Sequence, residues 1–406
     1  MHIVEIPSFF TPYGGEFCLE QAKTLRQRGH EVRILSVVQL SLKKDIRSFV
    51  SLPYRPKSYQ KEDVPILLSY MRGLPLCVRP NMRRWVSTVC ELFDKYVEMY
   101  GVPDVIHAHC MKWAGYAAMS LSEKYHIPYV VTEHLSLMDL QKEFGTEPNP
   151  QIWQIECLRK AYRKADMVIP VAREIVFDTQ QYYGTDYRWH EISNVIDTSF
   201  FSPVERQPLY DRAVVICCVA DFSFRKGYDI LFKAFAKCME RVGGDLRMEL
   251  HIAGENTPSA ACRKMEKEAS IEEHVVAYGK LDRQAIRSLL HRSDMFVLAS
   301  RSEVQPLVVL EAMSTGLPVV ATTAVPQNER IAGACFVAER NDADGLARQM
   351  YHVLRSRFLA VSPQEQEAVL PGTAISEKVN EMASAARVGE QLEQVLLDVC
   401  SRFPKK

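Results

Sequence analysis

The sequence predicts an α/β protein built from two parallel-sheet domains. Three observations carry this. Short apolar runs alternate with amphipathic helical stretches along most of the chain. At 406 residues the chain is too long for one ordinary core. Residues 294–323, DMFVLASRSEVQPLVVLEAMSTGLPVVATT, spell one complete strand, loop, helix, strand unit of such a sheet.

In that unit the apolar run 295–299 is short enough for a buried strand. Pro306 follows the loop 300–305 at the first helical turn, where a missing N–H is not needed. Leu307, Leu310, Glu311 and Met313 continue as helix, Gly316 stops it, and 317–321 is the next strand. Glu303 lies in the loop beyond a strand's carboxyl end, where open α/β sheets bind ligands. Glu311 lies on the helix that starts there, and that helix start favours an anion. Carboxylates accept hydrogen bonds from sugar and ribose hydroxyls, so the pair beside an anion site reads as nucleoside-sugar recognition. By spacing alone, a helix with two solvated acids is the favoured account, because Glu pairs are common.

The remaining elements follow in order. Residues 2–6 read as a strand, followed by a loop with Pro7, Pro12, Gly14 and Gly15. A helix over 16–28 has Leu19, Ala22 and Leu25 on one face, Gly29 stops it, and 32–38 is a strand. Strands are predicted at 104–108, 128–132 and 166–171, with helices at 83–100, 113–124, 152–165 and 173–183. Further strands fall near 214–220, 247–253, 274–278, 294–299, 317–322 and 334–338, and a final helix covers 376–402. His107 and His109 share a strand face and are of metal-ligating type, but no acid or cysteine stands at suitable spacing, so they read as structural. Asp342 and Asp344 spell D-x-D, yet they precede Leu346 and Met350 as a helix start would. No metal site is expected.

Composition narrows the function classes. Hydrophobic residues make up 47% and charged residues 25%, the values of a globular domain. Lys plus Arg and Asp plus Glu are equal at 50 each, so overall charge implies no nucleic-acid partner. Eleven cysteines lack C-x-x-C spacing, which fits a reduced compartment. The start MHIVEIP lacks a signal peptide's apolar stretch, and no run approaches the roughly 20 residues of a membrane span. A cytoplasmic protein is expected, in contact with the inner face of a membrane only peripherally. Such contact is suggested by 43–84, where ten basic residues meet three acids amid Phe49, Tyr54, Tyr59, Tyr70 and Trp85. That stretch reads either as a surface for anionic lipid or a lipid-linked acceptor, or as a solvated irregular segment.

The combination E-x7-E with EAM-x-x-G-L-P-V-V-A-T resembles the donor site of retaining GT-B glycosyltransferases of family 4. The resemblance extends to P…GG-x-E with R-G-H-E-V, to V-V-T-E-H, to N-V-I-D-T-S-F-F-S-P, and to ADFSFRKGYD over 220–229. It implies two Rossmann-like domains facing across a cleft. One is 1–203, on the acceptor side, with a C-terminal helix of about 386–406 packing back on it. The other, 204–385, binds the nucleotide-sugar donor.

By the same resemblance Glu303 lies beside the transferred sugar, Glu311 holds the ribose, and Lys226 contacts the diphosphate. Arg225 stands in for an arginine that the family carries where this chain has Asp221. His134 lies near the sugar. Gly14, Gly15, Gly254 and Tyr278 frame the donor. The implied reaction is metal-independent transfer of a sugar from a UDP- or GDP-type donor, with no cofactor, to a sugar or lipid-linked acceptor. Polysaccharide or glycoconjugate assembly is the implied context. Two other readings remain open at this point: a sugar-nucleotide epimerase of the same fold, and a degenerate sugar-nucleotide-binding protein. A dehydrogenase would need G-x-G-x-x-G after the first strand, and it is absent.

Overall fold

A computed structural model describes residues 1–10, 14–41, 46–52, 55–75, 77–135, 152–206, 212–359 and 368–403. Pro12, Lys43, Lys44, Asp45, Tyr54 and positions 404–406 of the expected final helix fall outside them. The chain divides into two compact units, Met1–Val195 with Ala385–Lys406, and Ile196–Ser384. The division falls ahead of the boundary expected near 204. The reason is local: the Ile196 N–H donates to Ala383 O at 2.8 Å, which ties the start of the second unit to its own last helix.

The first unit is a seven-stranded sheet. Its strands are β1 (His2–Pro7), β2 (Glu31–Leu40), β3 (Lys57–Lys61), β4 (Val64–Arg72), β5 (Val105–His109), β6 (Tyr129–Glu133) and β7 (Met167–Pro170). Their order is β3-β4-β2-β1-β5-β6-β7, and only β3 runs antiparallel to its neighbour. Apart from the polar, largely exposed β3, the strands are mostly buried on both faces because helices cover both. Val4, Ile6, Ile106 and Ala108 face one core; Ile3, Val105 and Val130 face the other. On the second face the helix Glu16–Gln27 packs beside the final helix Ala385–Ser401. There Gly389 meets Thr24, and Glu393 pairs with Arg28 and with His30 at 2.7 Å.

The segment 43–84 corrects one expectation. Within it lie a short helix, Ile46–Ser51, and the hairpin β3–β4, so it is neither irregular nor wholly surface. Glu62 and Asp63 turn the hairpin with φ of 49° and 64°. β4 escaped notice because it is buried on both faces and so lacks period-two alternation. Trp85 is a core residue whose Nε1 donates to Val37 O at 2.9 Å, and Tyr59 and Tyr70 pack against the core. Two further helices break where one was expected. Residues 173–183 form Glu174–Asp178 and Gln180–Tyr183, and 376–402 splits at Ser384 into Gly372–Ala383 and Ala385–Ser401.

The second unit is a wholly parallel six-stranded sheet. It comprises β8 (Val214–Val219), β9 (Met248–Ala253), β10 (Val275–Ala277), β11 (Met295–Leu298), β12 (Val319–Thr322) and β13 (Cys335–Ala338). Their order is β10-β9-β8-β11-β12-β13. The connections therefore reverse direction between β8 and β11, neighbours in register at Met295 and Ile216. In open α/β sheets the crevice beyond such a switch point is where ligands bind.

Candidate functional site

Two loops flank that switch point in the second unit. The loop after β8 ends in a 3₁₀ turn, Phe224–Lys226, and Gly227 then starts the helix Tyr228–Val242. Gly227 has φ of +67°, and a Cβ there would lie 2.1 Å from Ala299 O. Only glycine lets this turn sit against the end of β11. The Lys226 ammonium donates to Glu303 Oε1 at 2.6 Å, and Arg225 Nη1 donates to Glu303 Oε2 at 3.2 Å and to Ser302 O at 3.3 Å. Ser300 Oγ also donates to Glu303 Oε1, at 2.6 Å. The Glu303 side chain is 5% exposed and that of Lys226 14%. One buried acid thus holds two cations, and the group keeps an excess positive charge suited to an anion.

Asp221, where the family has an arginine, is turned aside: its carboxylate accepts the Glu255 N–H at 2.8 Å. Gly254 lies beside the same loop. A Cβ on it would lie 2.0 Å from Ala220 O, and its N–H donates to Gly279 O at 2.8 Å. Tyr278 is engaged inside the unit. Its N–H donates to Ile252 O at 2.9 Å, its hydroxyl meets His251 Nδ1 at 3.0 Å, and Arg292 lies over its ring.

Glu311 stands apart on the helix Leu307–Ser314, with no side-chain hydrogen bond or ion pair among the described residues. Burial pushes its carboxyl up to about 7, with the positive charge of Arg283 opposing. A part-buried carboxyl with free acceptor capacity is poised for hydroxyl donors. Asp342 and Asp344 are each occupied. Asp342 caps the helix Ala343–Leu354 by accepting the Gly345 N–H at 2.8 Å, and Asp344 pairs with Lys237 at 2.7 Å.

In the first unit Gly14 and Gly15 have φ of +97° and +90°, and a Cβ on Gly15 would lie 2.5 Å from Phe9 O. Gly15 precedes the helix Glu16–Gln27, whose Phe17 ring stacks on the His134 imidazole at 3.8 Å. His134 Nε2 is buried without a partner among the described residues. Burial, then His109 and His107, hold this imidazole well below the usual histidine range, so it is neutral. The turn that carries His134 is built by Glu133, which the sequence reading passed over. Its buried carboxylate accepts N–H groups of Met111 (2.9 Å), His134 (2.9 Å) and Leu135 (3.0 Å), and the Tyr162 hydroxyl (2.7 Å).

His107 and His109 do have an acid partner, contrary to expectation. The register Glu5↔His107 and Pro7↔His109 brings it from β1, beyond the reach of spacing along the chain. His107 Nδ1 meets Glu5 Oε1 at 3.1 Å, His109 Nε2 meets Glu5 Oε2 at 2.6 Å, and His107 Nε2 meets Thr132 Oγ1 at 2.7 Å. Burial raises the Glu5 carboxyl, but the charge and hydrogen bonds of the two histidines outweigh it and hold it down to about 2. Three ligand-type atoms lie within 4.8 Å of one another. Both His107 nitrogens and both carboxylate oxygens have hydrogen-bond partners, while His109 Nδ1 is buried without one among the described residues, so the group is a buried polar network with one nitrogen left over.

The family models match these same parts of the chain. Residues 14–200 match Glycosyltransferase Family 4, and residues 213–356 match Glycosyl transferases group 1. The chain belongs to glycosyltransferase family 4. It is therefore an enzyme of glycosyl transfer. It is 26% identical over 339 residues, 78% of either chain, to the putative teichuronic acid biosynthesis glycosyltransferase TuaC of Bacillus subtilis (strain 168). Among solved structures it is similar to sucrose-phosphate synthase from Thermosynechococcus elongatus, with a TM-score of 0.75, 18% identity and coverage of 99% and 100% of the two chains. It is also similar to Anabaena HepE in complex with UDP-glucose, with a TM-score of 0.68, 16% identity and coverage of 98% and 100%. These likenesses show the GT-B fold for this glycosyltransferase. No helix among the described residues is long and apolar enough to cross a membrane.

Proposed function

We propose that this glycosyltransferase moves a sugar, with retention of anomeric configuration and without a metal ion, from a UDP- or GDP-type donor to an acceptor hydroxyl. Polysaccharide or glycoconjugate assembly is the context that its similarity to the teichuronic acid protein favours. The observation that carries the reading is the cluster of Lys226, Arg225 and Glu303 at the β8/β11 switch point.

In this reading the unit Ile196–Ser384 binds the donor. Lys226 and Arg225 meet the diphosphate, and Glu311 accepts the ribose hydroxyls. Gly254 and the backbone around Tyr278 border the base. As the bond from the sugar C1 to the diphosphate oxygen breaks, negative charge grows on the leaving group, and the two cations stabilise it. The acceptor oxygen bonds to C1 on the same face, and its proton passes to the departing phosphate oxygen. Glu303 is pinned by Lys226, Arg225 and Ser300, which suits a group that orients the sugar and balances its developing positive charge.

The first unit takes the acceptor. His134 is neutral and stacked on Phe17, in the helix that Gly14 and Gly15 precede, and it offers a hydrogen-bonding group there. A cavity of about 330 Å³ lined by Ser8, Phe9, Phe10, Val37, Val38, Gln39 and Ser41 offers room for an acceptor. Ile46 and Val50, 62% and 73% exposed, lie in the same basic segment as the exposed Arg47, Arg79, Arg83 and Arg84, so a lipid-linked acceptor at a membrane surface fits.

A panel of UDP- and GDP-sugars tests the reading by calorimetric binding and by slow release of the nucleoside diphosphate. One nucleotide series should bind and hydrolyse. Binding with conversion of the donor sugar to its epimer, and no release, would replace transfer by epimerisation. No binding across the panel would overturn the donor site.

A further inference from the structure

We propose that Arg301 is a positioning residue for this reaction, the clamp that sets Lys226 and Arg225 at the height of the donor diphosphate. The inference rests on the reading of Lys226 and Arg225 as diphosphate contacts. Arg301 itself touches none of the groups expected to meet the donor through its side chain.

The geometry is specific. Arg301 sits in the loop after β11, two residues before Glu303, and its side chain is only 11% exposed. Its backbone N–H donates to Arg225 O at 2.7 Å. Nη1 donates to Phe224 O at 2.6 Å and to Asp229 Oδ1 at 3.0 Å, while Nη2 donates to Asp229 Oδ2 at 2.7 Å. Nε donates to Asn341 Oδ1 at 2.7 Å, and the guanidinium lies over the Phe224 ring at 4.1 Å from its centroid.

One side chain thus joins four places: the β11 loop, the 3₁₀ turn Phe224–Lys226, the helix that follows it, and the segment before the helix Ala343–Leu354. The fork on Asp229 is bidentate, the strongest form of such a pair. Burial raises the Asp229 carboxyl, but the hydrogen bonds and charge of Arg301 outweigh it and draw it below its usual value, so it stays ionised as a partner.

A 3₁₀ turn of three residues has little stability of its own. Besides the Lys226 and Arg225 side chains that reach Ser302 and Glu303, the turn is held against β11 by the close approach of Gly227 to Ala299 and by the bonds of Arg301 to the Phe224 and Arg225 carbonyls. Gly227 sets how near the turn lies. Arg301 sets its rotation, because its guanidinium binds the Phe224 carbonyl and lies over the Phe224 ring while its backbone N–H binds the next carbonyl, that of Arg225. The 2.6 Å contact of Lys226 with Glu303 depends on that rotation. Displacement of a reacting contact by about 1 Å can cost on the order of a hundredfold in rate.

The test is a double-mutant cycle. Arg301→Lys keeps the charge but loses the fork. UDP and GDP binding are measured by calorimetry, competition by uridine or guanosine is measured alongside, and melting curves are recorded. Arg301→Lys should weaken binding of the matching nucleoside diphosphate about tenfold, leave nucleoside competition unchanged, and shift the melting midpoint by no more than a few degrees. In a background lacking both cations, Lys226→Ala with Arg225→Ala, it should cost less than about a further twofold, because it acts through those two side chains. Equal losses in both backgrounds, or a parallel loss of nucleoside binding, would overturn the assignment and leave Arg301 a structural residue only. If Arg301→Lys does not fold, Asn341→Ala and Asp229→Asn each remove one anchor and should show the same non-additivity. Wild-type protein that binds neither UDP nor GDP would overturn the donor-site reading itself, a result distinct from additive losses.

Discussion

Glu311 gives the donor site a pH dependence that follows from its surroundings. Burial pushes its carboxyl up to about 7 from an ordinary 4.5. If the carboxylate accepts the ribose hydroxyls, only the ionised form binds well. The ionised fraction falls from about nine-tenths at pH 8 to about one-tenth at pH 6 for a pKa near 7. Nucleoside diphosphate affinity should therefore weaken about tenfold over that interval. The diphosphate also titrates there, so the comparison is with Glu311→Gln, in which the contribution of residue 311 is absent. Subtracting the two profiles, measured by calorimetry, isolates the carboxyl.

Stability runs the other way. The folded-state pKa lies above the unfolded one, so the neutral carboxyl stabilises the nucleotide-free fold below about pH 4.5, and that contribution is lost as pH rises through about 7. Discounted for partial exposure, it amounts to about 1–2 kcal/mol. Denaturant unfolding should show wild type losing stability relative to Glu311→Gln between pH 5 and pH 8. Parallel profiles for the two proteins, in binding and in unfolding alike, would refute the burial of this carboxyl and its grip on the ribose.

Other outcomes follow from the same geometry. Lys226→Ala should lower turnover about 10²–10³-fold, the usual loss for one donor to developing charge, with folding little changed by circular dichroism. Glu303→Gln should lower kcat at least tenfold while nucleoside diphosphate binding holds, since the diphosphate carries no sugar; the reverse pattern in calorimetry would exchange the roles of Glu303 and Glu311. Transfer should survive EDTA, because Asp342 is spent on a helix cap and Asp344 on Lys237; restoration by Mn²⁺ after chelation would contradict this. Glu133→Gln keeps the shape but replaces one acceptor oxygen with an NH₂ donor amid four donors. It should destabilise the fold by about 1–3 kcal/mol in denaturant unfolding and lower turnover through His134.

The second unit was largely legible because its chemistry lies in contiguous runs. The E-x7-E pair, Lys226 with Gly227, and the strand–helix alternation are all local patterns that survive reading in one dimension. What escaped notice depends on pairing between distant strands. Glu5 is an acid inside an apolar strand, and its meaning appears only once β5 lies beside β1 and sets it against His107. Glu133 is hidden in the same way, since its donors come from Met111 and Tyr162 as well as its own turn. β4 was unreadable because helices and neighbouring strands cover both its faces and erase alternation. Arg301 carried no sequence signal, because a lone arginine in a loop looks solvated until Asp229 and Asn341 are brought to it.

The central claim is that the crevice at the β8/β11 switch point receives the donor diphosphate. A crystal structure of the protein soaked with UDP, and separately with GDP, tests it most directly. The account predicts one nucleotide with its diphosphate within hydrogen-bond distance of the Lys226 ammonium and the Arg225 guanidinium, its ribose hydroxyls on the Glu311 carboxylate, and Asp221 still turned onto the Glu255 N–H. A nucleotide bound elsewhere in the second unit, or a diphosphate bound there with Lys226 still turned away onto Glu303 and out of its reach, would contradict it.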